Sequence, residues 1–425
     1  MKHYKRLFVL AMIALLAIPA GAAGNTLSSA LDSINVHGFV SQGFLNTTKD
    51  TEFLLKDSNK GSFQFNEMAV NFSASPSSDL TLGMQLFAYD LGENGNDEVK
   101  VDWAYGNYAL HDYLNVQAGI MKMPHGLYNE TRDIDMVRTS ILMPTSVYPE
   151  WFRDAMARIK GAGLHGNLPG NITYKTLYGY IDVAEESGMT DGIETLINNL
   201  GVDTDDTDTE NSSYATQLVW DSPFGLRLGA TLSRLDNLTL DMSSDIPIPA
   251  MATGGLSGLT TPLNALMEFE PIDIYVLSAE YMFDRLTLAT EYCEYDIDYT
   301  IYLTTLLDPA ISGAMGIPPT LSDKATMQGF YGSAAYRLLD PLEIGFYYSE
   351  LYWDKDDHNG HDYARETGKP SWGAWLKDKC LSVRYDFTAN WCAKVEGHLM
   401  DGSFMAYTKA NRNWSLYAAK VTYNF

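Results

Sequence analysis

The chain has 425 residues, of which 46% are hydrophobic and 20% charged, and its formal net charge is −25. So acidic a chain excludes a general role in binding nucleic acid, because the phosphate backbone attracts basic surfaces. A soluble protein of this length would divide into two or more domains, whereas a closed β-barrel need not, because each added hairpin widens one sheet.

The N-terminus has the pattern of a secretory signal peptide. Three basic residues within the first six precede an apolar run, Leu7–Ile18, which is too short to span a bilayer. Small residues follow this run and predict cleavage near Ala22 or Ala23. We therefore expect residues 1–22 to be removed and residues 23–425 to form a single exported domain.

After this leader, the chain reads as strands joined alternately by short turns and long loops. Leu80, Leu82 and Met84 alternate with polar or small residues, and a strand turns such neighbours to opposite faces. No later segment is a continuous apolar run long enough for a membrane-spanning helix. We predict 16 strands, with 14 or 18 as alternatives, at residues 34–45, 62–75, 80–89, 98–110, 113–121, 158–166, 172–183, 214–221, 226–235, 272–283, 286–296, 327–338, 342–351, 373–387, 390–400 and 414–425.

This strand pattern favours an all-β fold, a transmembrane antiparallel β-barrel. An even number of strands lets the first pair with the last, so that no edge is left unpaired in lipid. The short turns then lie on the periplasmic side and the long loops on the extracellular side. The 27 Tyr, 17 Phe and 8 Trp would supply aromatic belts at the two membrane interfaces.

The final predicted strand alternates in the same way. From Tyr417 to Phe425 every second residue is apolar or aromatic, and most residues between them are polar. This pattern resembles the terminal strand of bacterial outer-membrane β-barrels. The resemblance implies that Tyr423 and Phe425 belong to the signal that the barrel-assembly machinery reads. The alternative is a half-buried edge strand of a soluble protein.

Several local stretches resemble porin-like proteins of Gram-negative bacteria, relatives of the general and phosphate-selective porins. These stretches are Gly38–Gly43, Gln85–Gly92, Val101–Tyr105 and Gly126–Asp133. The resemblance implies a bacterial outer-membrane location, contact with lipid and lipopolysaccharide, a homotrimer of water-filled 16-stranded barrels, and a third long loop folded into each lumen. It does not specify a solute.

The third long loop corresponds to residues 122–157. Acidic and basic residues are nearly balanced there, which is unusual in so acidic a chain, and paired charges in a narrow channel act on passing ions. Three prolines would stiffen its path. We predict a pore constriction formed by Lys122, Glu130, Arg132, Asp133, Asp135 and Arg138. The alternative is an ordinary outer loop or a subunit contact with solvated ion pairs.

Basic residues on the strands are expected to face the lumen. A lipid-facing Arg or Lys near the bilayer midplane costs about 2–4 kcal/mol, so inward orientation is favoured. We predict a basic lumen wall opposite the acids of the loop, with solvated lumen charge of no further role as the alternative. Its members would be Lys175, Arg227, Arg337, Arg384, Lys394 and Lys420.

Metal and cofactor chemistry is only weakly indicated. His358 and His361 have a ligand-like spacing, and residues 203–210 are acidic but lack the central glycine of a calcium loop. The sequence contains no nucleophile elbow, phosphate loop or zinc-helix motif. We therefore predict no metal site, no cofactor and no enzymatic activity. We also predict no disulfide among the three cysteines.

The function predicted from these features is passive diffusion of small hydrophilic solutes and ions through an outer-membrane porin, with a weak preference for cations because of the acidic loops. Two alternatives are retained. One is a selective channel for a dedicated or hydrophobic solute, suggested by the Pro-, Met- and Leu-rich residues 246–267 and 306–321. The other is an outer-membrane barrel hydrolase.

Overall fold

A computed structural model describes residues 34–92, 95, 97–181, 208–248, 258, 260–305, 309–314, 317–406 and 411–425. The expected signal peptide and the acidic run 203–207 therefore lie outside the described residues. The strands are β1 Asn35–Thr47, β2 Phe65–Ala74, β3 Leu80–Leu91, β4 Lys100–His111, β5 Leu114–Lys122, β6 Arg158–Leu168, β7 Ile172–Tyr180, β8 Asp208–Asp221, β9 Leu226–Pro247, β10 Thr260–Phe269, β11 Ile272–Phe283, β12 Leu286–Thr305, β13 Thr320–Leu339, β14 Leu342–Tyr352, β15 Trp375–Asp386, β16 Trp391–Gly402 and β17 Asn413–Asn424.

These 17 segments build a wall of 16 strands. Both β10 and β11 lie between β9 and β12. β10 pairs with the C-terminal halves of these two strands, and β11 pairs with their N-terminal halves. The two segments are one wall strand, interrupted at Glu270 and Pro271, because proline has no N–H to donate to the ladder. The predicted 16-stranded antiparallel β-barrel is confirmed.

The sheet closes because β1 pairs with both β2 and β17. The seam continues to the end of β17, where the Gly38 N–H donates to the Phe425 carbonyl at 3.1 Å and the Phe425 N–H donates back at 3.0 Å. Closure leaves no strand edge with unpaired backbone groups, as a lipid environment requires.

The two faces of the wall differ in chemistry. In β17, Tyr417 and Val421 are exposed on the outer face, whereas Leu416, Ala418 and Lys420 are buried on the inner face. The predicted alternation of this strand is therefore confirmed. An apolar outer face and a polar inner face suit contact with hydrocarbon outside and water inside.

The short helices lie in the connections. They are Arg153–Ala157, Pro309–Ala314 and His361–Thr367, together with the 3-10 turns Ser58–Lys60, Asn129–Thr131, Asp135–Val137, Glu150–Phe152 and Ser371–Ala374. In the described part of the chain, no helix is both long enough and apolar enough to cross a bilayer.

The expected loop boundaries are wrong on one side of the barrel. The Pro-, Met- and Leu-rich residues 246–267 were expected to be a loop, but β9 extends to Pro247 and β10 begins at Thr260. Within β10, Leu263, Ala265 and Met267 are buried at every second position. This short alternation predicts a strand, but the surrounding turn-forming residues obscured it.

The three cysteines, Cys293, Cys380 and Cys392, are buried and carry free thiols. Cys380 lies opposite His398 in the register between β15 and β16, and Cys392 lies opposite Asp386, so these two cysteines do not pair. None of these thiols is accessible to water-soluble reagents in the folded barrel.

Candidate solute passage

The connection between β5 and β6 lies inside the barrel. We call residues 123–157 the inner segment. Side chains from opposite sides of the wall bond to it: Gln217 of β8 donates to the Gly126 carbonyl at 2.6 Å, and Glu396 of β16 accepts from the Ile141 N–H, also at 2.6 Å. Because these strands face each other across the sheet order, the segment spans the lumen.

One anchor of the inner segment is a buried carboxylate on β12. Glu291 is 1% exposed and accepts hydrogen bonds from the Leu127 N–H at 2.8 Å and from the hydroxyl of Tyr148, both in the segment. From the wall, the Ser278 hydroxyl donates at 2.5 Å and the Tyr331 hydroxyl at 2.8 Å. Four donors converge on one acceptor group, so this contact positions the first and last thirds of the segment together.

A second anchor is Glu396, which accepts from two consecutive backbone amides, Ile141 at 2.6 Å and Leu142 at 3.0 Å. Its other neighbour is His398, whose Nε2 lies 3.0 Å from Glu396 Oε1. Asp378 contacts the opposite ring nitrogen, Nδ1, at 2.9 Å. The imidazole thus lies between two carboxylates and orients the one that binds the inner segment.

Cys380 lies beside Glu396 and His398. Cys380, Glu396 and His398 offer ligand atoms within 4.8 Å of one another and could hold a metal ion. Glu396 already accepts from two backbone amides of the inner segment, and His398 Nδ1 lies 2.9 Å from Asp378, so two of the three groups have partners without an ion. This grouping therefore carries no metal assignment.

Asp135 is the main ionic anchor. Lys394 Nζ lies 2.9 Å from Asp135 Oδ1, Lys420 Nζ lies 3.7 Å from the same oxygen, and the Thr422 hydroxyl donates to Oδ2 at 2.7 Å. Burial alone would raise the pKa of Asp135, but Lys420 and Lys394 outweigh it and hold that pKa well below its ordinary value. The carboxylate is therefore charged and binds the segment to β16 and β17.

Asp133 belongs to a second set of ion pairs, which reaches the adjoining part of the wall. It contacts Lys122 at the end of β5 and accepts from Arg153 Nη2 at 2.9 Å. Arg153 also reaches Glu67 of β2 at 2.8 Å, and Lys122 reaches Asp102 of β4 at 2.7 Å. Burial would raise the pKa of Asp133, but the charges of Lys122 and Arg153 lower it well below the usual value.

A cavity of about 210 Å³ remains between the inner segment and the wall formed by β2 to β5 and β7. Lys175 of β7 reaches across part of it to Glu130 of the segment at 2.9 Å. The lining residues are Asn71, Gln85, Trp103, Tyr105, Gln117, Met121, Lys122, Glu130, Asp133, Ile134 and Lys175. Charged, amide and aromatic side chains therefore line this space together.

The predicted constriction residues divide into two groups. Lys122, Glu130 and Asp133 line the cavity, together with Lys175 of the predicted lumen wall. The others lie elsewhere. Arg132 and Arg138 bond within the inner segment, and Asp135 bonds to the wall. Arg384 and Lys394 bond to the segment, whereas Lys420 pairs with Glu67 of β2 at 2.5 Å and lies 3.7 Å from Asp135. Arg227 pairs with Asp221 and Glu280, and Arg337 pairs with Glu343 and Asp386.

The sequence interpretation missed the wall carboxylates and the neutral lining. Glu280, Glu291, Glu343 and Glu396 accept from hydroxyl or amide groups of the segment, so acids as well as bases on the wall position it. The missed lining residues are Asn71, Gln85, Trp103, Tyr105 and Gln117. Their inward positions in the alternating strands were the available signal.

His125 gives the inner segment a pH dependence. It is fully buried, with Nε2 2.9 Å from the Val147 carbonyl oxygen, and burial lowers its pKa to about 4. A released segment would have a histidine pKa of about 6.5. The conformation with the inner segment packed in the lumen is therefore most stable above about pH 6.5. Its free energy relative to the released segment becomes less favourable by up to about 3 kcal/mol as the pH falls toward 4.

We expect a barrel in a planar bilayer to show more frequent or larger conductance steps at about pH 4.5 than at about pH 7, because protonation favours the released segment. The carboxylates of Asp133 and Asp135 stay ionised over this range, since their pKa values are lowered. The His125→Gln variant should lose this pH dependence. An unchanged pH profile in that variant would contradict the assignment to His125.

Comparisons with known proteins support the fold. No family model matches the chain, and no curated protein matches it. Among solved structures, OmpF of Salmonella typhi in complex with daunomycin is similar with a TM-score of 0.55 at 13% identity, covering 92% of this chain and 97% of that one. An anion-selective porin from Comamonas acidovorans gives 0.54 at 10% identity, covering 92% and 99%. OmpT, an outer membrane protein of Vibrio cholerae, gives 0.53 at 10% identity, covering 92% and 97%. The chain has the fold of Gram-negative outer-membrane porins.

Proposed function

We propose that this chain is an outer-membrane porin that lets small hydrophilic solutes diffuse passively through the space beside the inner segment. The observation that carries this proposal is the cavity, lined by charged, amide and aromatic side chains, between the segment and the wall of β2 to β5 and β7. No bond is made or broken in such a role. The protein supplies a polar opening, and the concentration gradient supplies the driving force.

The charges around the opening are balanced. Lys175 pairs with Glu130, and Lys122 pairs with Asp133, so the lining has two cations and two anions. Paired charges give a weaker net field than an unpaired cluster, so strong selection by charge sign is not expected from this lining. Of the basic lumen wall predicted from the sequence, Lys175 belongs to this lining, whereas Lys394 and Lys420 lie beside Asp135 of the inner segment.

Cysteine accessibility tests the position of the passage. Gln117 faces the cavity, and the next residue, Ala118, is exposed on the outer face of β5. We expect a charged methanethiosulfonate reagent to reduce the ion current through the Gln117→Cys protein by at least half in a planar bilayer, because the adduct narrows the opening. The three native cysteines are buried and provide an unreactive background.

The matched control is Ala118→Cys, whose thiol would face lipid. Its current should not change on addition of the reagent. Absence of any ion-conducting state in the unmodified protein would overturn the porin proposal. A current that persists unchanged after Gln117→Cys has reacted would place the passage elsewhere.

The cellular context is part of the same proposal. We infer that residues 1–22 direct export, that Tyr423 and Phe425 contribute to recognition by the barrel-assembly machinery, and that the barrel contacts lipid and lipopolysaccharide. A homotrimer is supported by the porin fold and would be measured by mass in detergent. The structure supports a channel better than a hydrolase, because it provides a lined opening.

A further inference from the structure

The cavity wall has a composition that goes beyond a simple water-filled opening. Two aromatic rings, those of Trp103 and Tyr105, lie side by side on β4 with ring centroids 5.5 Å apart and an interplanar angle of 35°. Both line the cavity, and both are half-buried. Aromatic rings in a water-filled lumen offer a flat apolar surface with a negative face.

Glycines make room for these rings. The register places Gly83 of β3 opposite Tyr105, and Tyr105 opposite Gly119 of β5. A Cβ added at Gly83 would lie 2.9 Å from Cζ3 of Trp103, so the indole packs directly over this glycine. The aromatic surface is therefore built into the wall by its neighbours and does not depend on a flexible loop.

Amide groups surround the rings. Asn71, Gln85 and Trp103 form a row across β2, β3 and β4, since Asn71 pairs with Gln85 and Gln85 with Trp103. The Gln85 amide donates to Asp102 at 2.7 Å, which orients it. Asn71 and Gln117 also line the cavity and bring further amide groups to it, although Asn71 Oδ1 itself is buried and has no hydrogen-bond partner in the described part of the chain.

We propose that this cavity is a binding site for neutral pyranose sugars during their passage. A pyranose ring has one face rich in C–H groups, which packs on an aromatic ring, and a rim of hydroxyl groups, which bonds to amides. The balanced pairs Lys175–Glu130 and Lys122–Asp133 add polar contacts without attracting one sign of ion. The inference rests on the proposed channel function and names the solute class of the same opening.

The test uses the full-length protein in a planar bilayer in KCl. D-glucose added in rising concentration should reduce the ion current along a saturating curve, because a bound sugar occupies the opening. D-mannitol carries similar hydroxyl groups but has no ring face, and it should reduce the current only in proportion to the conductivity of the solution.

The Trp103→Leu and Tyr105→Leu variants should need roughly five- to tenfold more glucose for half of the maximal reduction, because the stacking surface is lost. Trp103→Phe keeps a ring and should shift the value by less than about threefold. The matched control is Tyr108→Leu, a tyrosine of the same strand that is exposed on the outer face, and it should bind glucose as the parent does.

The outcomes separate the two proposals. A protein without ion current would overturn the channel function itself. A protein with ion current but with the same linear response to glucose and mannitol would overturn only the sugar site. A saturating response that Tyr108→Leu alters as much as Trp103→Leu would also overturn it, since the effect would not come from the cavity.

Discussion

Replacing Asp135 by alanine is expected to release the middle of the inner segment and to raise the single-channel conductance several-fold. Lys394 and Lys420 are 1% and 2% exposed. Asp135 lies 2.9 Å from Lys394 Nζ and 3.7 Å from Lys420 Nζ, and Lys420 also pairs with Glu67 at 2.5 Å, so Lys394 loses its nearest carboxylate in this variant. Removing one partner of a buried ion pair typically costs about 3–5 kcal/mol, because the remaining charge has no counter-charge. The conductance recording should be paired with hydrogen exchange of residues 123–157, which reports release directly.

Two variants separate charge from general damage. The Asp135→Ala, Lys394→Met double variant removes both partners and should recover part of the lost stability, since it leaves less uncompensated charge. The control is Asp362→Ala, which breaks the ion pair with Arg365 at 2.5 Å in the short helix His361–Thr367, where the two side chains are 57% and 69% exposed. That exposed pair should contribute less than about 1 kcal/mol. Equal effects of Asp135→Ala and Asp362→Ala would refute the anchoring role.

Replacing Glu291 by leucine is expected to be the most damaging single change on β12. The substitution would leave four donors, from Leu127, Tyr148, Ser278 and Tyr331, without their acceptor in a buried site. A buried donor left unsatisfied costs about 1–3 kcal/mol. We expect a lower thermal unfolding midpoint, together with faster hydrogen exchange around residues 127 and 148.

The control for this change is Glu294→Leu on the same strand. Glu294 lies on the outer side of β12, where it contacts Tyr292 and Lys355, and its side chain is 23% exposed. Its loss should leave exchange in the inner segment unchanged. If both variants loosened the segment equally, the effect would belong to β12 as a whole and not to the Glu291 contact.

Most anchors of the inner segment lie on strands that do not line the cavity. The segment is bonded to β8, β11, β12, β14, β15, β16 and β17 through buried side chains. On the side of β3 to β7, wall positions such as Gly83 and Gly119 carry no side chain. Space therefore remains beside the aromatic pair of β4.

The sequence was sufficient for the wall of the barrel. Alternation along the strands is a local property, and a residue such as Lys420 is assigned to the inner face by its neighbours Ala419 and Val421 alone. The same alternation, counted along the chain, predicted 16 strands and their closure. It failed at β10, where Pro262 and nearby turn-forming residues obscured a short alternating run.

Only the tertiary structure decided which charges line the opening and which hold the inner segment. Lys122 and Lys394 are both predicted from the sequence to line the lumen, Lys122 at the constriction and Lys394 on the wall. Lys122 lines the cavity, whereas Lys394 is buried under Asp135, more than 250 residues away along the chain. The alternation of a strand specifies the direction of a side chain. The partner that it meets depends on how an irregular loop crosses the lumen, and many separate long-range contacts determine that path together.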